Sequence, residues 1–150
     1  VIFKLADQGR MGRKAKAGFY DYDEAGKRQG LWSGLEQQCP EASAQPELTE
    51  VQHRLMFAQS LEAVRALDEG VLEDIREGDV GAILGWGFAP WTGGPISMID
   101  GIGLAKFVET ADRLTATYGD RFKVPELLRE MAAKGETFYG RFAPDAKKAA

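Results

Sequence analysis

Apolar side chains recur at steps of three and four along much of this chain, the spacing of helices that turn one face inward. Val51, Leu55, Ala58, Leu61, Val64 and Leu67 form the longest such stripe and predict a helix from Thr49 to Leu67. Thr49 and Gln52 fit a capping box, in which the hydroxyl takes the N–H three residues on and the amide reaches back. Gly70 can end that helix in a left-handed conformation. A second helix is predicted over 75–84; its Gly78 and Gly81 each cost about 1 kcal/mol relative to Ala. Pro95 suits the first turn of a short helix through Ile99. Leu104, Phe107, Val108, Ala111 and Leu114 share one face of a helix over 103–118, stopped by Gly119. Pro125 opens and Gly135 closes a last helix reaching Lys134.

The chain before Thr49 has a different texture. Residues 1–11 read as the end of a helix. Phe19, Tyr20 and Tyr22 favour extended backbone, 23–26 read as a turn, and 27–31 return as a second strand. Residues 36–47 read as a connecting loop. The expected organisation is therefore an N-terminal arm or β-hairpin with linker over 1–47, an all-α bundle over 48–142, and a frayed Ala/Lys tail over 143–150.

A length of 150 residues suits one domain with a true core. Hydrophobic residues make up 44% and charged residues 28%, as in ordinary globular proteins. No apolar run approaches the roughly 18 residues that span a bilayer, and no secretory leader is visible. The net charge of −4 argues against a nucleic-acid surface. The single cysteine, Cys39, excludes an internal disulfide and fits a cytoplasmic protein. The start at Val1, with no initiator Met, raises the expectation of a piece cut from something longer.

The segment from Gly85 to Pro95 interrupts the helical pattern. Four glycines, two prolines and the aromatics Trp86, Phe88 and Trp91 occupy eleven residues. Gly and Pro shape it as a loop, and its aromatics need a core or a partner to cover them. Burying all three rings would contribute a gross term on the order of 10 kcal/mol. Core filling and an interface are both open readings. Trp86, Phe88, Trp91, Gly93, Gly94 and Pro95 are the candidate interface or cleft residues.

Other chemistry is thin. His53, the only histidine, stands one turn into a helix, where it reads as a surface or half-buried residue. Arg13, Lys14 and Lys16 lie between Gly12 and Gly18, but no Gly-Lys-Ser/Thr follows, so this is not a P-loop. Gly85-Trp86-Gly87 follows a helix and not a strand, which excludes the dinucleotide fingerprint. The carboxylates Asp68, Glu69, Glu73, Asp74, Asp79 and Asp100 form no pair required to converge. Asp100 reads as a cap or turn before the helix from Gly103. No His/Cys/Asp cluster has metal-ligand spacing, and Ser60 and Ser97 lack the turn context of a nucleophile. No catalytic, metal or cofactor-binding residue is assigned.

Three blocks in order carry a resemblance: Gly12 to Tyr22, Gly85 to Gly103, and Pro125 to Tyr139. Together they resemble the C-terminal domain of 3-hydroxyacyl-CoA dehydrogenases, most closely the last such domain of the multifunctional β-oxidation enzymes. The resemblance runs from about Gly12 to Phe142. It implies a helical domain that packs on an upstream sister domain, with NAD held by an upstream Rossmann domain and a His–Glu pair supplying proton chemistry. Working copies of the domain typically carry Asn-Arg-Leu where this chain has His53-Arg54-Leu55. The likeness thus implies a non-catalytic second copy, inactive alone. It also makes Arg13, Lys14 and Lys16 possible contacts for CoA phosphates. A fragment cut from such an enzyme would expose its interface and could self-associate. A free-standing helical interaction module and an acyl-CoA-binding domain remain alternatives.

Overall fold

The computed structural model describes residues 1–142; the expected frayed tail, 143–150, lies outside the described residues. The chain divides into two compact units, Val1–Gln45 and Pro46–Ala150.

The first unit begins with helix α1 (Ile2–Asp7). A 3-10 turn over Arg13–Ala15 follows, then strand β1 (Tyr20–Tyr22), strand β2 (Arg28–Leu31) and helix α2 (Leu35–Gln38). The strands pair antiparallel, with Tyr20 opposite Leu31 and Tyr22 opposite Arg28. Asp23 fastens the turn between them: its Oδ1 accepts the Lys27 N–H at 2.9 Å. The predicted loop over 36–47 is helical at its start, as part of α2.

Arg10 fixes the hairpin to α1. Its Nε donates to the Gly18 carbonyl at 2.9 Å and its Nη2 to Asp21 Oδ1 at 2.5 Å. Its guanidinium lies 4.1 Å from the centre of the Trp32 ring. One half-buried cation thus holds backbone, carboxylate and aromatic ring together, and the planar shape of Arg allows all three at once.

The second unit is an all-α bundle. It comprises α3 (Leu48–Asp68), α4 (Ile75–Trp86), α5 (Pro95–Ile102), α6 (Leu104–Tyr118), α7 (Glu126–Lys134) and α8 (Phe138–Phe142). The all-α class with a short N-terminal hairpin is the one expected from the sequence. Helices α3, α4, α6 and α8 each pack on α5, and α6 also packs on α7. The helices before Gly70, Gly119 and Gly135 stop as expected, each of these glycines taking positive φ.

The core differs from the expected stripe on α3. Phe57, Leu61 and Val64 are its buried apolar residues, whereas Leu55 is 62% exposed. Two apolar phases compete on this helix, and the one carrying the large ring is buried. Phe57 stacks on Phe107 of α6, with ring centres 4.0 Å apart and planes nearly parallel. The Thr49 capping box is absent. The helix starts at Leu48 with Glu47 as its cap residue and no side-chain cap bond. Thr49 is thus inside the first turn, where its hydroxyl no longer faces the orphan N–H groups.

Candidate functional site

The aromatic segment is split between helix and loop. α4 runs two residues past the predicted end, so Gly85 and Trp86 are helical, and Gly87 caps it at φ 78°. The chain then enters a 3-10 turn over Pro90–Thr92. The Thr92 hydroxyl donates to the Ala89 carbonyl at 2.7 Å and holds that turn closed.

The three rings part company here. Phe88 is 3% exposed and belongs to the core. Trp86 is 66% exposed and Trp91 is 85% exposed. Trp86 is nonetheless fixed in place, because its Nε1–H donates to Gln59 Oε1 on α3 at 2.9 Å. Beside the two tryptophans lies a cavity of about 440 Å³ whose lining includes Gln52, Leu55, Met56 and Gln59. Leu84 and Val80 add exposed apolar surface on α4. Gly93 is exposed, whereas Gly94 and Pro95 are buried and shape the loop from beneath.

Gly94 sits where only glycine fits. Its φ is 118°, and a Cβ built there would stand 2.5 Å from the Asp79 Cβ. That close approach seats the start of α5 on α4.

Asp79 is the principal polar feature missed from the sequence. It is 2% exposed. Oδ1 accepts the Ile96 N–H at 2.7 Å; Oδ2 accepts the Ser97 N–H at 3.0 Å, the Ser97 hydroxyl at 2.6 Å and the Tyr139 hydroxyl at 2.8 Å. The carboxylate therefore caps α5 from the interior of α4. Oδ2 takes three of these bonds and Oδ1 one, all from donors within the fold; their effect is to position the start of α5 and the Tyr139 phenol. Ile75, Asp79 and Ala82 are the buried residues of α4. A carboxylate falling in register on an apolar stripe is the sequence signal that would have exposed it.

Asp100 is a cap, but not of the helix expected. It lies within α5 and accepts the Phe138 and Tyr139 N–H groups at 2.8 and 3.0 Å, at the start of α8. Asp79 and Asp100 thus do converge, both on Tyr139. Burial, first of all, raises the Tyr139 phenol above its ordinary pKa, and the two nearby carboxylates act in the same direction.

The other candidates are dispersed. His53 is half-buried, its ring 5.2 Å from that of Phe57. The Glu50 carboxyl is lowered chiefly by its hydrogen bonds from Arg113. In the first unit Arg13, Lys14 and Lys16 are exposed, and Arg13 Nε donates to the Gly26 carbonyl at 3.2 Å. Among the described residues no group of three His, Cys, Asp or Glu is placed to hold a metal, and no helix is long and apolar enough to cross a membrane.

The chain is similar to the fatty acid oxidation complex subunit alpha of Shewanella amazonensis (strain ATCC BAA-1098 / SB2B). Identity is 40% over 143 residues, which cover 91% of this chain and 20% of the relative. The chain thus spans about a fifth of the length of the curated relative it matches. No family model matches it. At 91% of this chain the likeness takes in both units, so the shelf formed by Trp86 and Trp91 and the Asp79 side chain fall within a stretch similar to part of a much longer protein.

Proposed function

We propose that this chain is a helical module of a longer fatty-acid oxidation enzyme, and that it scaffolds the enzyme without contributing catalytic groups. The observation that carries this reading is the pair of outward-facing tryptophans on a rigid support. An exposed Trp held by Gln59 and a second Trp on a closed 3-10 turn form an anchor set, the type of residue that dominates interface energetics when covered. The 40% likeness to a stretch of a fatty acid oxidation complex subunit alpha supplies the context.

In finer terms, the module is the last C-terminal domain of a 3-hydroxyacyl-CoA dehydrogenase. Its shelf packs on an upstream sister domain and so shapes the cleft for the acyl-CoA. NAD would be held by segments outside this chain. The described strands form only an antiparallel hairpin, whereas the glycine-rich dinucleotide mode needs a parallel strand leading into a helix.

Two measurements test the reading. The isolated chain should form no NADH from 3-hydroxybutyryl-CoA above a buffer control; sustained turnover would overturn it. In the longer enzyme, Trp91→Asp should lower both melting temperature and dehydrogenase turnover. If neither changes, the shelf does not scaffold.

A further inference from the structure

Helix α3 carries a second apolar face that the described residues leave uncovered. Leu55 and Leu48 are exposed there, with Val51 and Ala58 half-buried between them and the core. A helix apolar on two faces can pack on both sides.

Two adjoining grooves run over this face. One, of about 440 Å³, lies beside Trp86 and Trp91. The other, of about 610 Å³, is lined by Arg54, Tyr118, Arg121 and Phe122, and it shares Leu55 and Gln59 with the first. The surface is therefore continuous from the tryptophans to the two arginines.

Those arginines are the odd ones out. The other arginines of the second unit hold carboxylates: Arg65 with Glu62, Arg76 with Asp74, Arg113 with Glu50, Arg129 with Asp112 and Arg141 with Glu136. Arg54 and Arg121 hold none among the described residues, in a chain of net charge −4. Arg54 lies over the Tyr118 ring at 4.3 Å. Stacking occupies the face of a guanidinium and leaves its edge N–H groups available for a carboxylate. The backbone on this face is helical and already hydrogen-bonded, so it offers no edge for an added strand; exposed leucines along α3 beside two tryptophans suit the regularly spaced apolar anchors of a helix laid in a groove.

We propose that this groove seats an amphipathic helix from another part of the same longer polypeptide, with apolar anchors against Leu55 and the tryptophans and carboxylates against Arg54 and Arg121. The inference rests on the module reading above and names the partner of its interface. The remaining four-fifths of the relative's length provides the source. Charge complementarity sets the edge chemistry.

The test uses the native protein. Its intact mass is measured first; a mass of 16.4 kDa with no larger form overturns both this inference and the module reading. In the longer protein, benzoyl-phenylalanine is placed at position 55 and crosslinks are mapped by mass spectrometry. The expected crosslink is within one polypeptide, to a helix outside this chain that carries Asp or Glu within a turn or two. Arg54→Glu with Arg121→Glu should lower the yield about tenfold, whereas Arg54→Lys with Arg121→Lys retains most of it. Raising salt to about 1 M should weaken the crosslink in the unsubstituted protein; this control does not depend on the variants folding. Crosslinks to a second copy, to another protein, to a helix without carboxylates, or to nothing overturn the inference, as does a yield insensitive to charge and salt. A neutral helix of the same polypeptide at that position would leave the module reading standing.

Discussion

Replacing Asp79 with Ala removes the acceptor of four hydrogen bonds at once. Two of the donors are the Ile96 and Ser97 N–H groups in the first turn of α5. Loss of a helix cap costs about 1 kcal/mol. Bonds to an ionised acceptor stand at the strong end of the range, about 1.5–3 kcal/mol each. The half-buried Tyr139 hydroxyl also loses its partner, and an unsatisfied group of this kind costs about 1–3 kcal/mol. The Ser97 hydroxyl can rotate to water and adds little. Because these losses share one carboxylate they do not add fully, and about 3–4 kcal/mol is expected. At an m-value of about 2 kcal/mol/M, the urea midpoint should fall by about 1.5–2 M. Asp79→Asn should be nearly as damaging. An amide in place of Oδ2 would turn a donor toward the Ser97 and Tyr139 donors. Equilibrium urea unfolding followed by tryptophan fluorescence measures both variants. A loss below about 1 kcal/mol for Asp79→Ala would refute the assignment of Asp79 as the centre that aligns α4, α5 and α8.

The same geometry predicts that Gly94→Ala destabilises by about 3–5 kcal/mol, since it combines a positive φ with a clash against Asp79. Gly81→Ala has open space and sits in a helix, so it should stabilise the isolated chain by about 1 kcal/mol; thermal melting distinguishes the two. The Tyr139 phenol is raised, so its contribution is fully present below the unfolded-state pKa and is lost as pH rises through the folded-state value. Stability should therefore fall above about pH 10, and Tyr139→Phe should flatten that alkaline limb in urea titrations run at stepped pH. Arg10→Ala should free Trp32 and loosen the hairpin, seen as a red shift in Trp32 emission once the other two tryptophans are replaced by Phe.

Helix ends marked by glycine were legible because a residue with positive φ leaves a local signature, as at Gly70, Gly119 and Gly135. The faces of α6 were legible for a similar reason: Leu104, Phe107, Ala111 and Leu114 offer a single apolar phase. On α3 two phases overlap, and periodicity alone does not rank Leu55 against Phe57; packing against Phe107 decides it. The register of Asp79 on an apolar stripe marks it for burial, but what it holds was hidden, because its donors lie on other helices and Tyr139 is 60 residues away. The short α8 was missed for the same reason, since its start is capped by Asp100 from another helix. Of the candidate site, the aromatic segment was visible from composition. Which ring would stay inside was not, because that depends on where α4 ends.

The Asp79 centre also bears on synthesis. Its donors come from α5 and α8, so a nascent chain halted before Phe138 has the Asp79 carboxylate without its phenol, while Asp100 awaits both of its amides. The bonds that join α8 to Asp79 and Asp100 form only after Tyr139 has left the ribosome. Premature termination, or clipping ahead of α8, therefore yields a half-closed species with a charged interior, the kind of defect that cellular proteases and chaperones detect.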